Sequence, residues 1–105
     1  MTEVEITVVA GTFQARSGKE AELAATLARY VVLTRNVEGC RNVDLVVAAT
    51  DPGRFMFFEK WDDAEAQRAH LDGDVMVTMA QAATALIAGP PDLGLYDAVS
   101  VYDLE

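Results

Sequence analysis

The sequence predicts an α+β domain, a four-stranded antiparallel sheet with helices packed on one face. Three observations predict it. Apolar residues recur every second position in four segments and every third or fourth position between them. The segments run strand, helix, strand, strand, helix, strand. The 105 residues, 51% of them apolar, suffice for a single core, so 1–105 reads as one domain.

Val4 to Ala15 alternates, with Val4, Ile6, Val8 and Ala10 opposite Glu5, Thr7, Val9 and Gly11, and reads as the first strand. Ser17-Gly18-Lys19-Glu20 fits a capping box, in which Ser17 caps free backbone N–H groups and Glu20 reaches back. The helix it opens carries Leu23, Leu27, Tyr30, Val31 and Thr34 on one stripe and ends near Asn36, before Gly39. Asn42 to Ala49 is the second strand. Asp51-Pro52-Gly53-Arg54 predicts a hairpin turn, because Pro presets φ and Gly permits φ > 0. The third strand, Arg54 to Trp61, places Phe55, Phe57, Glu59 and Trp61 on one face and Met56, Phe58 and Lys60 on the other. Asp62, with Glu65 three residues on, predicts an N-cap for a short helix to Leu71. Asp72-Gly73-Asp74 breaks it, and Asp74 caps a further helix, Val75 to Ala88, with Met76, Met79, Ala80, Ala83, Leu86 and Ile87 on one face. Gly89 and Pro90-Pro91 stop that helix, and Leu95 to Leu104 is the last strand.

This β-α-β-β-α-β order is the ferredoxin-like, split βαβ arrangement. Val4, Ile6, Val8, Val43, Leu45, Val99 and Val101 are too many for the one sheet face that the helices cover. An apolar second face predicts an interface. The expected partner is a second copy packed sheet to sheet, a homodimer with a closed β core.

Seventeen acidic against eight basic residues give a net charge of −9, which opposes binding to nucleic acid and to anionic membrane surfaces. No apolar run approaches the ~20 residues of a membrane span. The acidic start, Met1-Thr2-Glu3-Val4-Glu5, is unlike a signal peptide. The single cysteine, Cys40, allows no internal disulfide, and with the single His70 it is too little for a structural zinc site. A reducing, cytoplasmic setting is expected. There is no phosphate-binding loop, dinucleotide fingerprint or Ser/His/Asp signature.

The segment Arg54-Phe55-Met56-Phe57-Phe58-Glu59-Lys60-Trp61-Asp62-Asp63-Ala64-Glu65-Ala66-Gln67-Arg68-Ala69-His70 resembles the antibiotic biosynthesis monooxygenase (ABM) family. That family shows an aromatic strand ending in Glu-x-Trp, a capped short helix with Ala and Glu, and then His. Ser17-Gly18-Lys19-Glu20, Val37-Glu38-Gly39-Cys40, Pro52-Gly53-Arg54 and the Pro90-Pro91 turn before a Tyr-containing strand are similar to the family's other landmarks. One departure is clear. Many members open the third helix with a small residue, His and Phe; here Leu71-Asp72-Gly73-Asp74-Val75-Met76 has neither aromatic side chain.

The resemblance implies a dimeric α+β barrel. For some members it also implies oxygenation of aromatic polyketide-type phenols, anthrones or quinols by O2 without cofactor: no metal, flavin or nicotinamide. Other members are isomerases, haem-degrading enzymes or domains of no assigned activity, and fold does not choose among them. Haem-degrading members resemble one another by an Asn on the first strand, a Trp on the short helix and a ligating His on the next helix. Those positions fall near Gly11, near His70 and within Val75 to Ala88, which has no His, so haem chemistry is disfavoured.

The expected activity is therefore oxidation of a small aromatic or lipophilic substrate in an apolar pocket between sheet and helices. A binding domain without turnover, or a polyketide cyclase or isomerase, are the alternatives. His70 is a candidate base, since imidazole titrates near neutrality, or else a helix-end histidine. Trp61 is a candidate wall for an aromatic ligand, or a core tryptophan. Glu59 on an apolar face needs a partner such as Arg41 or Arg54, or acts as a base with a raised pKa. Tyr30, Tyr96 and Tyr102 are candidate phenol partners; Phe13, Phe57, Met76 and Met79 could line an adaptable pocket or simply fill the core. Arg41, with Asn42, opens the second strand, where ligands often touch. Cys40 reads as a small buried filler.

Overall fold

The computed structural model describes residues 6–101. The chain runs β1 (Thr7–Gln14), α1 (Glu20–Thr34), β2 (Cys40–Ala48), β3 (Asp51–Trp61), α2 (Ala64–Leu71), α3 (Asp74–Ala83) and β4 (Asp92–Asp97). The strands form one antiparallel sheet in the order β2-β3-β1-β4, the ferredoxin-like topology, with the three helices on one face.

The register follows the alternation in the sequence. Val9 lies across from Glu59, Gly11 from Phe57 and Phe13 from Phe55, all on the helix side. On β2, Val43 and Leu45 share that side, opposite Glu59 and Phe57. Leu23, Leu27, Tyr30, Val31 and Thr34 of α1 are buried, as their spacing predicts. With Met76, Met79 and Ala83 of α3 they close the core over Phe13, Phe55, Phe57 and Trp61. Gly11 permits close packing at its centre: a Cβ there would stand 2.7 Å from both Leu93 and Phe57.

Several boundaries differ from the sequence expectation, each for a local reason. Ser17 does not cap α1; the helix starts at Glu20 with no side-chain cap, after a turn in which Lys19 N–H bonds Arg16 O and Gly18 takes φ 85°. The hairpin turn sits at Ala49 and Thr50, before Pro-Gly rather than on it. Gly53 lacks a positive φ; its N–H bonds Asp51 Oδ1 and its carbonyl accepts from Ala15, which draws Pro52-Gly53 into β3. Asp63, not Asp62, caps α2, with Oδ1 accepting from Ala66 N–H at 2.8 Å. Gly73 is the N-cap of α3, which ends at Ala83 and leaves Ala80 exposed. Beyond it, Ile87 bridges Ala15, and Ala88 N–H bonds Gln14 O, so the chain is pulled to the sheet and not wound further. The last strand is earlier than expected. It begins at Asp92, directly after the Pro pair that cannot donate to a ladder, and ends at Asp97, opposite the first residue of β1. The expected extensions at Val4 and from Tyr102 to Leu104 lie outside the described residues.

The sheet face away from the helices carries Met56 and Phe58 of β3, beside Val46 of β2 and Tyr96 of β4. These four are 38%, 36%, 52% and 56% exposed. Of the apolar residues too many for one face, Val8 is on this one, whereas Val43 and Leu45 are under the helices. Val99 lies past β4 and is exposed. Among the described residues no helix is long and apolar enough to cross a membrane.

Candidate functional site

The helix-covered face of β3 is hydrocarbon as far as Phe57 and then turns polar. Glu59 is 1% exposed and is flanked by Val9 on β1 and Val43 on β2. A carboxylate among valines needs donors, and two reach it. The hydroxyl of Tyr30, from the apolar stripe of α1, donates to Oε2. The indole N–H of Trp61, two residues along the same face, donates to Oε1 at 3.0 Å. The Tyr30 hydroxyl also lies 2.8 Å from Nε2 of His70, which comes from the last turn of α2. The His70 ring stacks at a tilt on Trp61, with centroids 4.7 Å apart. Four side chains from α1, β3 and α2 thus form one buried, hydrogen-bonded cluster.

Burial sets its electrostatics. It raises the pKa of Glu59, and the bonds from Tyr30 and Trp61 oppose that rise only in part. It lowers the pKa of His70, so the neutral imidazole is favoured. Burial, then the Glu59 charge, lifts the Tyr30 phenol above its ordinary range. The same two causes push the Cys40 thiol up to about 11, so Cys40 is half-buried against the core as a thiol, not a thiolate.

His70 also lines a cleft of about 580 Å³ between α2, the start of α3 and the loop before β2. Ala66, Ala69, Gly73, Val37 and Val75 form its apolar walls, and Glu38, Asp62, Asp63, Glu65 and Asp74 its rim. Among the described residues no Lys or Arg lines it. Gly39 brings the loop against α2: it takes φ 86°, and a Cβ there would stand 2.5 Å from that of Ala66. Asp62 N–H bonds the Gly39 carbonyl at 2.8 Å and locks this approach.

Of the residues singled out from the sequence, His70, Trp61, Glu59 and Tyr30 are brought together. Trp61 stands behind His70, fully buried, and is not among the cleft-lining residues. Phe57 is core, packed on Tyr30 and Phe13 at ring distances of 5.2 and 5.5 Å. Met76 and Met79 are core residues beneath α3 and do not line the cleft. Arg41 bonds Asp62 Oδ1 at 2.9 Å, so it braces the rim and does not pair with Glu59. Arg54 points to the opposite sheet face, near the far end of β3. Tyr102 lies outside the described residues.

Sequence reasoning missed the Tyr30–Glu59 bond. The available signal was that each is the lone titratable group on an otherwise apolar stripe facing the same layer. It also missed the cleft rim, whose signal was Gly39 in a run that needs φ > 0.

Comparisons with known proteins agree with the fold. A family model described as antibiotic biosynthesis monooxygenase matches residues 6–82. No curated protein matches the sequence. Among solved structures, a protein of unknown function from Nitrosomonas europaea superposes with a TM-score of 0.87 at 21% identity, covering 99% of both chains. A protein from Shewanella oneidensis gives 0.84 at 27% identity, over 91% of this chain and 93% of that one. A structure described as an antibiotic biosynthesis monooxygenase gives 0.79 at 26% identity, over 90% and 99%.

Proposed function

Because the chain belongs to the antibiotic biosynthesis monooxygenase family, we propose that it oxidises an electron-rich aromatic substrate, a polyketide-type phenol, anthrone or quinol, with O2 and no cofactor. One observation carries this reading: His70, 3% exposed, lies at the cleft, with Nε2 held by Tyr30 and its ring backed by Trp61. A neutral, oriented and largely buried imidazole is suited to take a proton from an acidic C–H or O–H. The resulting anion gives its electrons to O2. For an anthrone, the CH2 carbon forms a C–O bond to one oxygen as peroxide, and loss of water leaves a carbonyl. The carbon loses two hydrogens and four electrons, and both oxygen atoms are accounted for in the C=O and the water.

The acidic rim shapes what enters. Five carboxylates, of which Asp62 is paired with Arg41, leave the rim net negative and favour a neutral phenol over a carboxylated or phosphorylated one. The test is oxygen uptake with a panel of anthrones and dihydroxynaphthalenes, no cofactor added. Uptake well above the spontaneous rate, lost in His70→Ala, is the expected result. Consumption of substrate without oxygen would replace the monooxygenase with a cyclase or isomerase. Saturable binding without turnover would leave a binding domain.

The reading includes a homodimer. Met56, Phe58, Val46 and Tyr96 present apolar surface on the sheet face that the helices leave open, and a second copy packed sheet to sheet would cover it. Light scattering should give twice the chain mass at micromolar concentration, and Phe58→Glu should give a folded monomer. A monomeric wild type overturns the assembly.

A further inference from the structure

The cluster behind the cleft contains more than a base needs. A histidine oriented for proton transfer requires one fixed nitrogen, and Tyr30 supplies that contact. Yet Tyr30 also bonds Glu59, which Trp61 holds by its other oxygen. All four side chains are at most 3% exposed. We propose that Tyr30 and Glu59 form a proton relay behind His70, in which the proton that His70 Nδ1 takes from the cleft is stored on Glu59. The inference rests on His70 being the group that meets the substrate.

The relay has two arrangements that differ by one proton. In the receiving one, Glu59 is ionised, Tyr30 O–H donates to it, and His70 Nε2–H donates to the Tyr30 oxygen. Nδ1 then offers a lone pair to the cleft. When Nδ1 takes a proton, Nε2–H passes to the Tyr30 oxygen and the Tyr30 proton passes to Glu59. In this loaded arrangement the Glu59 carboxyl donates to Tyr30, Tyr30 donates to Nε2, and Nδ1 carries the hydrogen. The substrate gains one negative charge and the cluster loses one, so charge balances. No imidazolium and no phenolate persist, which suits a site where burial disfavours both. The reverse passage returns the proton to the peroxide anion.

Hydrogen bonds hold both Glu59 oxygens in place, and burial favours its protonated form. Around its carboxyl stand Tyr30 from α1, Trp61 from β3 and the neutral Cys40 thiol from β2. On the cleft side of His70 the described charged groups are Glu38 before β2, Asp62, Asp63 and Glu65 at the start of α2 and Asp74 opening α3, with Arg41 paired to Asp62.

His70 is the single histidine, so labelling histidine with 15N reports this ring alone. Its nitrogen shifts are followed in the free protein as pH is lowered, beside infrared difference spectra of the carboxyl region. The expected result is a change from the Nε2–H to the Nδ1–H tautomer without an imidazolium. A protonated-carboxyl component appears with it, isolated as the difference between the wild-type and Glu59→Gln spectra. Tyr30→Phe should uncouple the two events. In the oxygen-uptake assay it should lower kcat about tenfold or more, with little change in KM. A ring that becomes imidazolium while Glu59 stays ionised overturns the relay. So does a ring that keeps one tautomer throughout, or coupling that survives Tyr30→Phe. A tautomer switch in a protein that consumes no oxygen would keep the relay and remove the monooxygenase reading.

Discussion

The two halves of one strand face separate what holds this protein together from what gives it chemistry. Phe55 and Phe57, in the first half of the buried face of β3, are 6% and 0% exposed; Glu59 and Trp61, in the second half, are 1% and 0%. Alternation buries all four alike. Phe57 is secured by area and by ring contacts with Phe13 and Tyr30, which do not depend on pH. Glu59 is secured by two donors, Tyr30 and Trp61, and keeps a raised pKa because burial outweighs them. Burial by itself is therefore no sign of a merely structural role. What distinguishes the halves is whether the buried atoms can exchange a proton.

Three substitutions test that contrast. The largest effect belongs to the hydrocarbon half. Phe57→Ala should cost about 3–5 kcal/mol in denaturant unfolding, through lost burial and the cavity left under α1. That loss should be nearly constant with pH.

Glu59→Gln should have a smaller effect that depends on pH. A raised carboxyl pKa means the folded state binds the proton more readily than the unfolded chain. Wild-type stability from this group therefore falls as pH rises from the ordinary 4.5 to the raised value. His70 acts oppositely: its lowered pKa makes stability rise with pH up to the ordinary 6.5. Removing the carboxylate should remove the falling contribution and keep the His70 trend, so the variant gains on wild type as pH rises above 4.5. Thermal melts at a series of pH values read this as a difference in slope; parallel curves would mean that Glu59 is not perturbed.

The smallest effect is at the rim. Asp62→Asn weakens the bond to Arg41 at a carboxylate that is 54% exposed. Its cost should stay within about 1 kcal/mol, the range for solvent-screened pairs.

Much of the fold was legible because its signals are local. The period of two in Phe55 to Trp61 and the stripe Leu23-Leu27-Tyr30-Val31-Thr34 each place a side chain on a face without reference to any other element. The β-α-β-β-α-β order then restricts the topology. The errors were also local. Ser17, Asp62 and Pro52-Gly53 each satisfy a cap or turn rule, but a neighbouring residue satisfies the backbone instead: Asp63 caps α2, and Asp51 takes the Gly53 N–H. A propensity of this size decides nothing when a tertiary contact, such as Ala15 N–H on Gly53 O, shifts the register.

By itself the sequence determined the strand faces, the helix stripes, the family and the short list containing His70, Trp61, Glu59 and Tyr30. Only the tertiary structure decided which of these meet. Glu59 was expected to find an arginine; α1 crosses the sheet so that Tyr30 reaches it first, while Arg41 turns to Asp62. The cleft beside His70 likewise depends on Gly39 lying against Ala66. Periodicity says which way a side chain points. What stands opposite depends on register and on where the helices cross the sheet, and those are settled by packing between residues far apart in the chain.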